Sequence, residues 1–108
     1  MTPEPPYWAV IFTARLREPA PGYGPVADRL LELAAEQPGF LGVESTRDET
    51  GLGITVSYWR EREDFERWRA QNEHAVARGR GRREWYAHYD LRVARVERAV
   101  SFTASDED

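Results

Sequence analysis

The sequence predicts an α+β fold, a ferredoxin-like β-α-β-β-α-β sandwich that joins a second copy to form a dimeric α+β barrel. Three observations predict it. The apolar periodicity changes from two to about 3.6 and back in the order strand, helix, strand, strand, helix, strand. A short polar turn joins the middle strands. The strands also carry apolar residues on both faces, although two helices on one side can cover only one of them.

A chain of 108 residues has room for one domain, expected over 1–108 with its core at about 7–100 and a frayed tail at 101–108. Hydrophobic residues are 41% and charged residues 31%, an ordinary globular balance. No apolar run is long enough for a membrane span. The opening residues show neither a basic n-region nor an apolar h-region, so the expected location is the cytoplasm. Cysteine is absent, which removes disulfides, thiolate nucleophiles and cysteine-ligated metals. All 15 basic residues are arginine, and the net charge of −4 does not favour nucleic acid as a partner.

Tyr7 to Leu16 alternates Trp8, Val10, Phe12 and Ala14 against Tyr7, Ala9, Ile11 and Thr13, with both sets largely apolar. Glu18 to Gly24 reads as a loop, and Pro25 suits the first turn of a helix. Val26, Ala27, Leu30, Leu31, Leu33 and Ala34 form its apolar stripe, which ends at Gln37-Pro38-Gly39. Phe40 to Thr46 and Gly53 to Trp59 are strands flanking the turn Asp48-Glu49-Thr50-Gly51. Glu61 to about Arg78 is expected as one helix, with Phe65, Trp68, Asn72, Ala75 and Val76 on one face. Gly79 and Gly81 should interrupt it before a short turn at Arg82 to Tyr86. His88 to about Val100 is the last strand; Val96 falls out of phase, which predicts a bulge near Ala94-Arg95.

Trp8, Tyr58, Trp59 and Tyr89 sit on strands whose two faces are both apolar. A symmetric copy of the sheet is the economical cover, so a homodimer is expected.

Several ordered motifs carry a family resemblance: Gln37-Pro38-Gly39-Phe40-Leu41-Gly42-Val43-Glu44, then Ile54-Thr55-Val56-Ser57-Tyr58-Trp59, then Phe65-Glu66-Arg67-Trp68, His74 and Trp85-Tyr86. From about Tyr7 to Val100 the chain resembles the antibiotic biosynthesis monooxygenases. The resemblance implies a pocket between sheet and helices in each subunit of a dimer. It also implies cofactor-free oxidation of phenols to quinones, or haem degradation, in different branches. In the cofactor-free branch the deprotonated substrate gives an electron to dioxygen and then couples with it. The haem branch carries an Asn late in the first strand and a His ten positions after the helix Trp. Those places fall here on Ala14 and Arg78, and an arginine cannot ligate iron. The quinone-forming branch uses Asn, Trp, Tyr and Arg; Trp68 matches, Asp64 stands near the Asn place and His74 at the Tyr place.

No cofactor is therefore expected, with haem as the lesser alternative, and a small molecule is the expected ligand. Trp68 either lies against a flat substrate or packs in the core. Asn72, one turn further on, holds a substrate oxygen or bonds to backbone. His74 is either a structural or exposed residue or the catalytic base, since imidazole titrates near neutrality. Six residues beyond Trp68 it lies about 120° around a regular helix, so it reaches the pocket only if the helix distorts. Phe12, Tyr58, Phe65 and Trp85 complete the expected substrate-binding lining. Trp85, Tyr86 and Tyr89 form a cluster that reads first as packing against the partner or the sheet and second as lining the pocket entrance. His88 and Asp90 share a strand face and read as a surface pair rather than a metal site. Arg78-Gly79-Arg80-Gly81-Arg82-Arg83 reads as a solvated loop, with an anion-steering lip as the second reading. The function expected first is a cofactor-independent monooxygenase of a small aromatic metabolite. The alternative is a non-catalytic binding or stress-response protein of the same fold.

Overall fold

The computed structural model describes residues 2–104, apart from the side chains at 72 and 73. Its elements are β1 (Tyr7–Leu16), α1 (Tyr23–Ala35), β2 (Phe40–Arg47), β3 (Leu52–Trp59), α2 (Arg62–Ala70), α3 (Asn72–Arg80), a π-helical turn (Gly81–Trp85) and β4 (Tyr86–Val96). The strands form one antiparallel sheet in the order β2-β3-β1-β4, the ferredoxin-like arrangement. Among the described residues no helix is long and apolar enough to cross a membrane.

Val10, Ala34, Trp59, Phe65 and Trp68 form the buried core, with Trp8, Leu30, Leu33 and Phe40 packed around them. The helices therefore lie on the sheet face that carries Val10 and Trp59. The β2–β3 turn is held by Asp48, whose Oδ1 accepts from the backbone of Thr50 at 2.9 Å and of Leu52 at 3.1 Å. Gly39 follows α1 at φ +83°, and a Cβ there would stand 1.9 Å from Asp64 Oδ2. Only glycine leaves room for Asp64, which completes a reciprocal capping box with Glu61 and pairs with Arg67. Asp64 is thus a structural carboxylate at the start of α2.

Three sequence expectations need correction. The second helix is not continuous: Gln71 adopts extended backbone (φ −60°, ψ 142°) and splits it into α2 and α3. The break is held from outside, because Gln71 Nε2 donates to Gln37 Oε1 at 2.6 Å. Gly79 and Gly81 do not interrupt α3, and the arginine-rich stretch is helix and π-turn rather than loop. Gly81 answers a packing need, since a Cβ there would meet the Tyr86 ring at 2.7 Å. The bulge near Ala94-Arg95 is also absent: Tyr7 pairs with Val96 and the register runs regularly through Ala94. Val96 simply faces the other side of the sheet beside Tyr7, and the register shift lies at Arg15/Leu16, opposite the start of β4.

Candidate active site

A cavity of about 250 Å³ lies between the sheet and the helices. Its floor alternates as a strand must: Val10 and Phe12 from β1, Ser57 and Trp59 from β3, Tyr89 and Leu91 from β4. Its roof is Leu30 and Ala34 from α1, Phe65, Trp68 and Arg69 from α2, and His74, Ala77 and Arg78 from α3. Trp85 closes one end; its Nε1 donates to the Pro21 carbonyl at 2.8 Å.

The break at Gln71 decides where His74 goes. With α3 restarted, the imidazole stacks on Trp68, ring centroids 4.6 Å apart and planes 30° from parallel. A regular helix would have carried the ring about 120° away from Trp68; the break brings the two together. His74 Nδ1 lies 3.3 Å from the Trp68 carbonyl oxygen. A carbonyl can only accept, so Nδ1 carries the proton in the neutral ring and Nε2 keeps its lone pair. Nε2 has no hydrogen-bond partner among the described residues. Burial holds the His74 pKa below the ordinary imidazole value, and the charges of Arg78 and Arg69 add to that, against the opposing bond to Trp68. The ring is therefore neutral at pH 7, a competent proton acceptor.

Aromatic residues fill the other end. Phe12 meets Tyr86 edge-on at 5.4 Å and Tyr89 at 5.3 Å, while Tyr23 packs against Trp85 at 5.6 Å. Tyr23 Oη accepts from Arg47 at 2.9 Å. Burial raises the Tyr86 phenol far above its usual range, so it stays protonated and can donate. Ser45 and Thr55, also in the lining, bond to each other at 2.7 Å.

Of the expected site residues, the cavity brings together Phe12, Phe65, Trp68, His74 and Trp85. Tyr58 is on the opposite face of the sheet, donating to Glu44 at 2.6 Å, and its neighbour Trp59 takes the inward position. Asn72 opens α3, and its side chain lies outside the described residues. Tyr86 and Tyr89 line the cavity as well, and so do Tyr23, Arg69 and Arg78, for which the sequence carries no signal of substrate contact. Arg78 stands ten positions past Trp68, where a haem-degrading relative would carry its iron ligand, and a protonated guanidinium has no lone pair to offer iron. Among the described residues no group of three His, Asp or Glu gathers to hold a metal, and His88 pairs with Asp90 on the surface at 3.0 Å.

The model of the antibiotic biosynthesis monooxygenase family matches residues 15–80. The chain belongs to that family. The protein YqjZ of Bacillus subtilis (strain 168) is 50% identical over 107 residues, covering 99% of this chain and 94% of that one. Among solved structures, SnoaB, a cofactor-independent oxygenase from Streptomyces nogalater, matches with a TM-score of 0.75 at 14% identity, over 89% of this chain and 98% of its own. Rv0793 from Mycobacterium tuberculosis matches with a TM-score of 0.72 at 16% identity, over 92% and 99%. At such identities these two structures establish the family's fold.

Proposed function

We propose that the chain is a cofactor-independent monooxygenase acting on a small phenolic aromatic. The observation that carries this reading is His74: a neutral imidazole with a free Nε2, stacked on Trp68 inside an aromatic cavity. Family membership and the likeness in fold to SnoaB support it.

A substrate ring lying beside Trp68 gives its phenolic proton to His74 Nε2. The resulting anion passes one electron to dioxygen, and the radical and superoxide couple through a new C–O bond. The proton returns from His74 to the peroxide. Loss of water from the CH–OOH centre breaks the O–O bond and leaves C=O. A ring CH₂ and one O₂ thus become a quinone carbonyl and one water, with all electrons from the substrate. The apolar walls keep bulk water from the anion.

Oxygen uptake with 1-naphthol, a ring size that the cavity suits, and with a hydroxyanthrone tests this. We expect one O₂ consumed per quinone formed, and a kcat roughly a hundredfold lower for His74→Ala. Silence across a broad phenol panel would overturn the reading in favour of a binding protein without catalysis.

We also propose that a second copy of the chain covers the outer face of the sheet, in the cytoplasm. Leu52 and Ile54 are exposed there beside Val56, an apolar strip that the helices do not reach.

A further inference from the structure

Arg69 and Arg78 enter the cavity from two different helices, and they differ from most other arginines in having nothing to hold. Arg67 pairs with Asp64, Arg80 with Glu84, and Arg82 donates to the Tyr89 hydroxyl. The Nε atoms of Arg69 and Arg78, by contrast, are buried and have no hydrogen-bond partner among the described residues. No Asp or Glu is among the described residues that line the cavity. Desolvation, with the like charges of Arg69 and Arg82 added and Tyr89 opposing, lowers the Arg78 pKa from its ordinary value. Two buried donors and two neighbouring positive charges, facing an otherwise apolar space, cost stability until an anion completes them.

We propose that the ligand of this cavity is an aromatic carboxylic acid, its ring system beside Trp68 and its carboxylate held by Arg78 and Arg69. The proposal rests on the cavity being the substrate site and adds the substrate's charge. A planar guanidinium presents Nε and a terminal nitrogen side by side, the spacing that a carboxylate accepts bidentately. His74, adjacent on α3, then meets a ring hydroxyl rather than the acid group. At about 250 Å³ the cavity lies just below the usual range for organic ligands, which favours one or two fused rings over larger polycycles.

Isothermal titration calorimetry at neutral pH with 1-hydroxy-2-naphthoate and with 1-naphthol tests the charge directly. The acid should bind roughly ten- to a hundredfold tighter than the naphthol. Arg78→Met should erase most of that preference and leave 1-naphthol binding in place, Arg69→Met should erase part, and Arg78→Lys should retain part. Equal affinities, no binding of either compound, or parallel loss of both in Arg78→Met would overturn the proposal. Oxygen uptake reads the other hypothesis separately. Preference for the acid without turnover removes the oxygenase and keeps the anion site. Turnover of neutral phenols without such preference does the reverse.

Discussion

The two faces of the sheet are built from the same strands yet are chemically unlike. On β3, Trp59 points under the helices and is 0% exposed, whereas the residue before it, Tyr58, stands half-buried on the other side. The inner face encloses a cavity lined by two guanidiniums whose Nε atoms have no partner among the described residues, and by a neutral imidazole. The outer face has ordinary surface pairs, Tyr58 with Glu44 and His88 with Asp90, around the apolar strip Leu52, Ile54 and Val56. Inner residues are thus constrained by packing within one chain, whereas the strip Leu52, Ile54 and Val56 is left for the proposed second copy to cover.

The largest expected contrast is in stability. Trp59→Ala removes the most buried side chain of the core and should cost about 3–5 kcal/mol in urea unfolding. Tyr58→Ala, one residue away, should cost about 1 kcal/mol in the isolated chain. Equal costs that grow with protein concentration would mean that the outer face is itself a core, shared between chains.

Ile54→Asp examines that face directly. A charge placed in the centre of the apolar strip should weaken a dimer by about 2 kcal/mol, roughly thirtyfold in Kd, with circular dichroism unchanged. Light scattering that shows the monomer mass for the unaltered chain across the dilution range would remove the dimer.

How much of this contrast was legible in the sequence depends on the residue. Element order was legible because each strand and helix has its own period, and the Pro38-Gly39 and Asp48–Gly51 turns have local chemistry. Which face a β3 residue takes was not, because Ile54, Val56 and Tyr58 are as apolar as Trp59, and only pairing with β1 fixes the side. Tyr58 was therefore expected in the site and Trp59 was not. The break at Gln71 has no local signal: neither proline nor glycine stands there, and a side-chain bond to Gln37, 34 residues away, holds it. Arg69 and Arg78 could not be read as a pair for the same reason, since the break sets the rotation of α3 relative to α2. The requirement that the helix distort to deliver His74 was the one trace of it.

The tyrosines offer a smaller test of the same contrast. Both Tyr58 and Tyr86 resist ionisation, but for different reasons: Tyr58 is pushed up to about 12 chiefly by its bond to Glu44, Tyr86 by burial. In an ultraviolet pH titration, Glu44→Gln should lower the midpoint of one phenol and leave the most resistant one in place. If both move, the faces are electrically coupled through the sheet.

The smallest effect expected is the pH dependence that His74 gives to folding. Burial is the main cause of its lowered pKa, with Arg78 and Arg69 adding to it. Above the unfolded-state value of 6.5 the ring is neutral in both states, and its contribution to stability is fully present. As pH falls below that value, the unfolded chain takes up a proton that the folded chain refuses, and stability is lost until the folded pKa is passed. Urea midpoints should therefore decline less between pH 7.5 and 5 in His74→Gln than in the unaltered chain. An equal decline would mean that the cavity is wet enough to solvate an imidazolium. The ring could then be protonated near neutrality, and the base proposed for the oxygenase would have to be sought elsewhere on the inner face.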